Sequence, residues 1–110
     1  MPTDFVEAGP FLEKLVGPLT FGMFVRAART RLDITQAEAA RRLGVSRAML
    51  CDIEKERQPV SVELARKIAK RLGDSEALAV ECCLNDQLRK AKMRNWSVRL
   101  EEKRSIKKAS

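Results

Sequence analysis

The sequence predicts an all-α protein of five helices, with at most a short β-strand near its C-terminus. Three observations carry this. Ala, Leu, Arg, Lys and Glu dominate the 110 residues, and these are good helix formers. Aromatic residues make up only 5%, Tyr is absent and β-branched residues are sparse, which disfavours sheet. A Ser or Thr also stands just ahead of each stretch whose apolar residues recur at steps of three and four, the pattern of capped amphipathic helices.

Taken in order, residues 1–19 form a lead-in, with a short helix around Phe11–Val16 ended by Gly17-Pro18. Thr20 caps a helix from Phe21 to about Arg31, whose Phe21, Phe24, Val25, Ala28 and Leu32 share one face. Thr35-Gln36-Ala37-Glu38 has the form of a capping box, in which the Thr hydroxyl accepts from the Glu38 amide and the Glu38 side chain reaches back. That second helix runs to about Leu43, and Gly44 suits the positive φ of a helix exit. Ser46 caps a third helix only two residues later, extending to about Glu56, and Gln58-Pro59 stops it. Ser61 opens a fourth, Val62–Leu72, closed by Gly73. Asp74 or Ser75 caps a fifth through about Met93, with Ala77, Val80, Leu84, Leu88 and Ala91 on one stripe. Trp96, Val98 and Leu100 then alternate with polar residues, which is strand periodicity. The chain divides into the lead-in 1–19, a compact unit 20–73, and a helix with basic tail, 74–110, assigned to dimerisation.

The net charge of +7 is unevenly placed. Nine Lys and Arg against two acids lie between Arg89 and Ser110, while the preceding 88 residues carry thirteen of each sign. The polyanion attraction implied by a pI of 9.8 therefore belongs to the tail, and basic pI alone is weak evidence for a nucleic-acid partner. The bland reading of the tail is a solvated surface. No apolar run approaches the roughly 20 residues that span a bilayer. The first residues carry acids and Pro rather than a signal-peptide pattern, so a cytoplasmic location is expected, with no membrane partner.

Three cysteines, two of them adjacent, and no His make a poor framework for disulfides, zinc or a Cys–His nucleophile. Neither clustered carboxylates nor a glycine-rich phosphate loop are present. No enzyme activity, cofactor or metal is expected. Cys82 and Cys83 point about 100° apart on a helix and read better as packing than as a redox pair. Cys51 lies near an outer face where oxidation could matter, but an inert thiol is the simpler reading.

The segment from Thr35 to Arg57 carries the functional signal. Two helices of about eight and ten residues joined by a Gly turn are too short to persist alone. They must pack through Ala39, Ala40, Leu43, Val45, Leu50 and Ile53. Arg47, Ala48, Cys51, Asp52 and Lys55 are then left on the outer face of the third helix. One face locks orientation and the other is free to enter a DNA major groove.

TQAEAARRLGVSRAML followed by DIEK, within a stretch from Leu19 to Gly73, resembles the XRE family of helix-turn-helix regulators, which includes the phage Cro and cI repressors. The resemblance implies a lambda-repressor-like bundle. It places base-edge contacts at Arg47, Ala48, Met49, Asp52 and, in some members, Lys55, and a phosphate contact and bracing role at Gln36. It pairs Arg29 with Glu54 and puts a further phosphate contact at Arg57. Chemistry agrees: Arg47 can present its fork to guanine, Ala48 and Met49 suit thymine methyls, and Asp52 can accept from cytosine N4 or repel wrong sequences. The helix N-termini behind Thr35 and Ser46 can anchor phosphates without reading sequence. One departure is Glu56, where the family has Gly. Either it takes a left-handed backbone at a cost on the order of 1 kcal/mol, or the loop is re-routed.

The expected function is a sequence-specific, homodimeric repressor on a palindromic double-stranded operator. The alternative is an antitoxin, similar to the HigA-like proteins, that binds a toxin and represses its own operon. Dimer contacts are expected at Leu84, Leu88, Trp96, Val98 and Leu100. Trp96 reads equally well as a dimer anchor or as a cover for the tail's apolar side.

Overall fold

The computed structural model describes residues 19–101 and 103. The helix expected around Phe11–Val16 and the last basic residues, Arg104, Lys107 and Lys108, lie outside these. Five helices follow in order: α1 (Phe21–Leu32), α2 (Gln36–Leu43), α3 (Arg47–Glu54), α4 (Val62–Arg71) and α5 (Glu76–Lys90). Each opens on a hydroxyl in extended backbone. Thr20, Thr35, Ser46, Ser61 and Ser75 accept from the amides of Met23, Glu38, Met49, Leu64 and Leu78, at 3.0–3.1 Å. The capping box at Thr35 is only half made. The Glu38 carboxylate turns to Arg41 and Arg42 instead, a stronger partner for an ionised group than one more amide.

Each helix is followed by a left-handed residue: Asp33, Gly44, Glu56, Gly73 and Lys92, with φ between 57° and 71°. The amides there and one residue later fold back onto the last turn, as at Glu56 to Ile53 O (3.1 Å) and Arg57 to Asp52 O (2.8 Å). This satisfies carbonyls that a helix end leaves open. It also shortens two expected helices: α3 stops at Glu54 rather than Glu56, and α5 at Lys90 rather than Met93. Glu56 therefore takes the left-handed conformation and the loop is not re-routed. The Thr20 hydroxyl donates to Glu56 Oε2 at 2.7 Å, a contact glycine could not provide.

The core is built from small and branched side chains: Phe21, Phe24, Val25 and Ala28 of α1, Ala39, Ala40 and Leu43 of α2, Leu50 and Ile53 of α3, and Ala65, Ile68, Ala69 and Leu72 around α4. Val45, expected inside, is half-buried. α1 packs on α3, α4 and α5, α2 on α3 and α4, and α4 and α5 make the most extensive pairing.

Two expectations for the C-terminal part are corrected. The core-facing stripe of α5 is Ala79, Cys82 and Cys83. Ala77, Val80, Leu84 and Leu88 are only half-buried, and Ala91 is exposed. The true stripe is hidden in the sequence because its next position is charged. Asp86 sits there, accepting from the Phe21 amide at 3.0 Å and so closing the start of α1. No strand forms among the described residues. After a turn the chain runs back along α5, where Asn85 bonds both the amide (2.7 Å) and the carbonyl (3.1 Å) of Val98, and Glu81 accepts from the Leu100 amide (2.9 Å). Val98 and Leu100 are half-buried while Ser97 and Arg99 are exposed. The alternation is present, but the partner is a helix rather than a second strand.

Candidate nucleic-acid interface

α2, the turn at Gly44 (φ 71°) and α3 carry the candidate site. α1 holds this pair from behind through a backbone approach that only glycine allows. A Cβ on Gly22 would lie 2.5 Å from Glu54 O and 2.9 Å from Ile53 O. Gly22 was missed by sequence reasoning, although a lone Gly inside a helical stretch is a signal of close packing.

Beside that crossing lies the buried carboxylate of Glu54, 3% exposed. Arg29 clasps it with Nε (2.7 Å) and Nη2 (3.0 Å), and spends Nη1 on Ile34 O (3.1 Å). Gln36 donates through Nε2 at 3.0 Å, and Arg26 approaches to 3.9 Å. Burial pushes the Glu54 pKa upward, but the Arg29 and Gln36 hydrogen bonds and the two Arg charges outweigh it, and the carboxyl is held below its ordinary range. The Arg29 guanidinium is correspondingly raised by its hydrogen bond to Glu54. The first residue of α2 is thus tied to the last residue of α3 and both to α1. The two helices present their outer faces as one rigid piece.

On that outer face Arg47, Ala48, Lys55 and Arg57 are exposed, while Asp52 and Cys51 are half-buried. Met49 is partly withdrawn against the core. Arg57 Nη1 lies 4.0 Å from Asp52 Oδ1, so Asp52 also faces the loop that follows α3. The hydroxyls of Thr35 and Ser46 are exposed but occupied in capping. Gln36 is half-buried. The remaining named residues, Leu84, Leu88, Trp96, Val98 and Leu100, lie apart from this face, on and beside α5. Trp96 is 67% exposed.

None of the cysteines is disulfide-bonded. Cys82 and Cys83 are buried, and the Cys83 thiol donates to Val60 O at 3.1 Å. Burial and then the Asp86 charge push that thiol's pKa up, which makes it less reactive. Among the described residues no group of His, Cys, Asp and Glu could hold a metal, and no helix is long and apolar enough to cross a membrane.

Comparison with known proteins meets this geometry. A helix-turn-helix family model matches residues 25–77, which takes in most of α1 and the whole of α2, α3 and α4. A protein of Methanothermobacter thermautotrophicus, described as an uncharacterized helix-turn-helix-type transcriptional regulator, is 43% identical over 49 residues, covering 44% of this chain and 71% of that relative. No solved structure gives a significant match. The chain belongs to the XRE-type helix-turn-helix family of DNA-binding transcription regulators.

Proposed function

We propose that the protein is a sequence-specific repressor that reads an operator through the outer face of α3 and acts as a homodimer. The observation that carries this reading is the bracing of α2 and α3 by the Arg29–Glu54–Gln36 cluster, with Arg47, Ala48 and Lys55 left exposed on the opposite side. A reading helix must be held rigidly, because its contacts depend on placement within fractions of an ångström. Arg47 stands at the first position of α3, where its planar fork can meet guanine O6 and N7. Exposed Lys55 and Arg57, with the N-terminus of α2, hold phosphates on either side of the read bases.

Dimerisation follows from size and surface. One such unit meets few base pairs, and a second copy across a palindrome supplies the missing affinity and specificity. The half-buried Leu84 and Leu88 together with the exposed Trp96 offer an apolar face for a two-fold contact. The tail contributes side chains to it, not the strand edge that its alternation suggests, since its backbone is already bonded to Asn85 and Glu81.

A mobility-shift titration tests the function. At moderate salt the protein should shift DNA from upstream of its own gene at concentrations that leave a scrambled duplex free. Equal affinity for both would defeat the proposal.

A further inference from the structure

The C-terminal end of α5 meets the loop that follows α3. Its Arg89 and Lys90 form one wall of a cavity of about 250 Å³ whose other wall is the loop after α3, with Glu56, Gln58 and Pro59. The two elements are fastened together below it: Asp86 accepts from the first amide of α1, and Thr20, the residue before it, donates to Glu56. The end of α5 therefore cannot drift from the end of the recognition helix. Just past it, Lys92 turns left-handed with φ 63°. That turn reverses the chain, so Arg94 stays at the same apex before the tail runs back along α5.

Positive charge is concentrated at this apex. Lys90, Lys92 and Arg94 are exposed, and among the described residues none of the three forms an ion pair. The two acids of the cavity lie below them: Asp86 pairs with Arg89, and Glu56 accepts from Thr20. Lys55 and Arg57, the chain neighbours of Glu56 in the opposite wall, are also exposed, and Arg57 lies 4.0 Å from Asp52. The exposed cations here outnumber the acids beside them, and a polyanion with evenly spaced charges relieves the repulsion among them.

We infer that Lys90, Lys92 and Arg94 form a second phosphate-binding surface that grips the backbone of the same duplex α3 reads, continuing the contact made by Lys55 and Arg57. This rests on the reading of α3 as the DNA-recognition helix. The surface supplies affinity without reading bases, because ammonium groups on phosphates are indifferent to sequence.

The test compares wild type with K90Q/K92Q/R94Q on a duplex selected by the wild-type protein from a random library, with affinity measured by fluorescence anisotropy from 50 to 300 mM salt. Loss of three phosphate contacts should lower the slope of log affinity against log salt by about 2–3 per protomer, while the order of preference among single-base variants stays the same. A double variant, K90Q/R94Q, leaves the left-handed residue untouched and should lose about two-thirds of that amount. Sedimentation must show the oligomeric state of the variants unchanged. A slope equal to wild type overturns the second surface while leaving the function of α3 standing. A flattened base preference with unchanged slope would place these residues at the bases instead, and also overturns it. A wild-type protein that selects no sequence overturns the underlying function.

Discussion

Gly22→Ala sets two well-known effects against each other. Within an isolated helix the change is favourable by about 1 kcal/mol, because Ala is the better helix former. In this fold the new Cβ would sit 2.5 Å from Glu54 O, 2.9 Å from Ile53 O and 3.0 Å from Glu54 C. The nearest of these is about 1 Å short of an ordinary non-bonded contact. All three atoms are backbone, so no side chain can swing away. α1 and α3 must separate, which loosens Phe21, Val25 and Ile53 in a close-packed core. Overpacking of this kind costs about 1–3 kcal/mol, with the upper end expected where backbone meets backbone. Subtracting the propensity gain leaves a net loss of about 2 kcal/mol. Urea unfolding followed by circular dichroism reads this directly, and at an ordinary slope for a domain of this size the midpoint should fall by about 1 M. A Gly22→Ala variant as stable as wild type, or more so, would refute the close approach as the reason for glycine here.

Two further perturbations probe the brace and the dimer. Glu54→Gln keeps the shape but removes the charge that Arg29 clasps, and should cost about 3 kcal/mol, the low end for a broken buried pair because the Arg29 side chain keeps 19% exposure. Since the Glu54 carboxyl is held below its ordinary pKa, its contribution is present above the unfolded glutamate value of about 4.3 and is lost as pH falls further. The stability gap between wild type and Glu54→Gln should therefore shrink from pH 6 to pH 3, and a constant gap would count against the charge as its source. Ending the chain after Met93 removes Trp96, Val98 and Leu100, and light scattering should find the shortened chain monomeric where the full chain is a dimer. A dimer of undiminished operator affinity would exclude the α5 and tail surface as the interface.

Legibility followed locality. Helix starts were readable because a hydroxyl caps an amide three residues on, and all five caps are where the Ser and Thr residues stand. Helix ends were readable at Gly44 and Gly73. They were not readable at Asp33 and Lys92, where ordinary residues adopt the same left-handed turn and no residue type announces it; at Glu56 only the family's Gly at that position points to it. Non-local contacts were the least visible. Nothing local marks Asp86 as the acceptor for the start of α1, 65 positions away in sequence, and its charge masks the core-facing stripe of α5. The tail was misread because alternation reports only that one side is covered, not whether a strand or a helix covers it. At the candidate interface, the outer face of α3 followed from spacing, whereas the tie from Gln36 to Glu54 is a meeting of two helix ends that spacing does not encode. The family resemblance supplied the roles.

The measurement closest to the central claim is a single-base operator panel titrated with wild type, Arg47→Ala and Gln36→Ala. Arg47→Ala should lose about 1–3 kcal/mol on the preferred duplex and become indifferent to one base pair. Gln36→Ala, which loosens the brace on Glu54 and would remove the proposed backbone contact, should weaken every duplex by a similar factor. If Arg47→Ala keeps the wild-type ranking at every position, the outer face of α3 is not what reads the sequence.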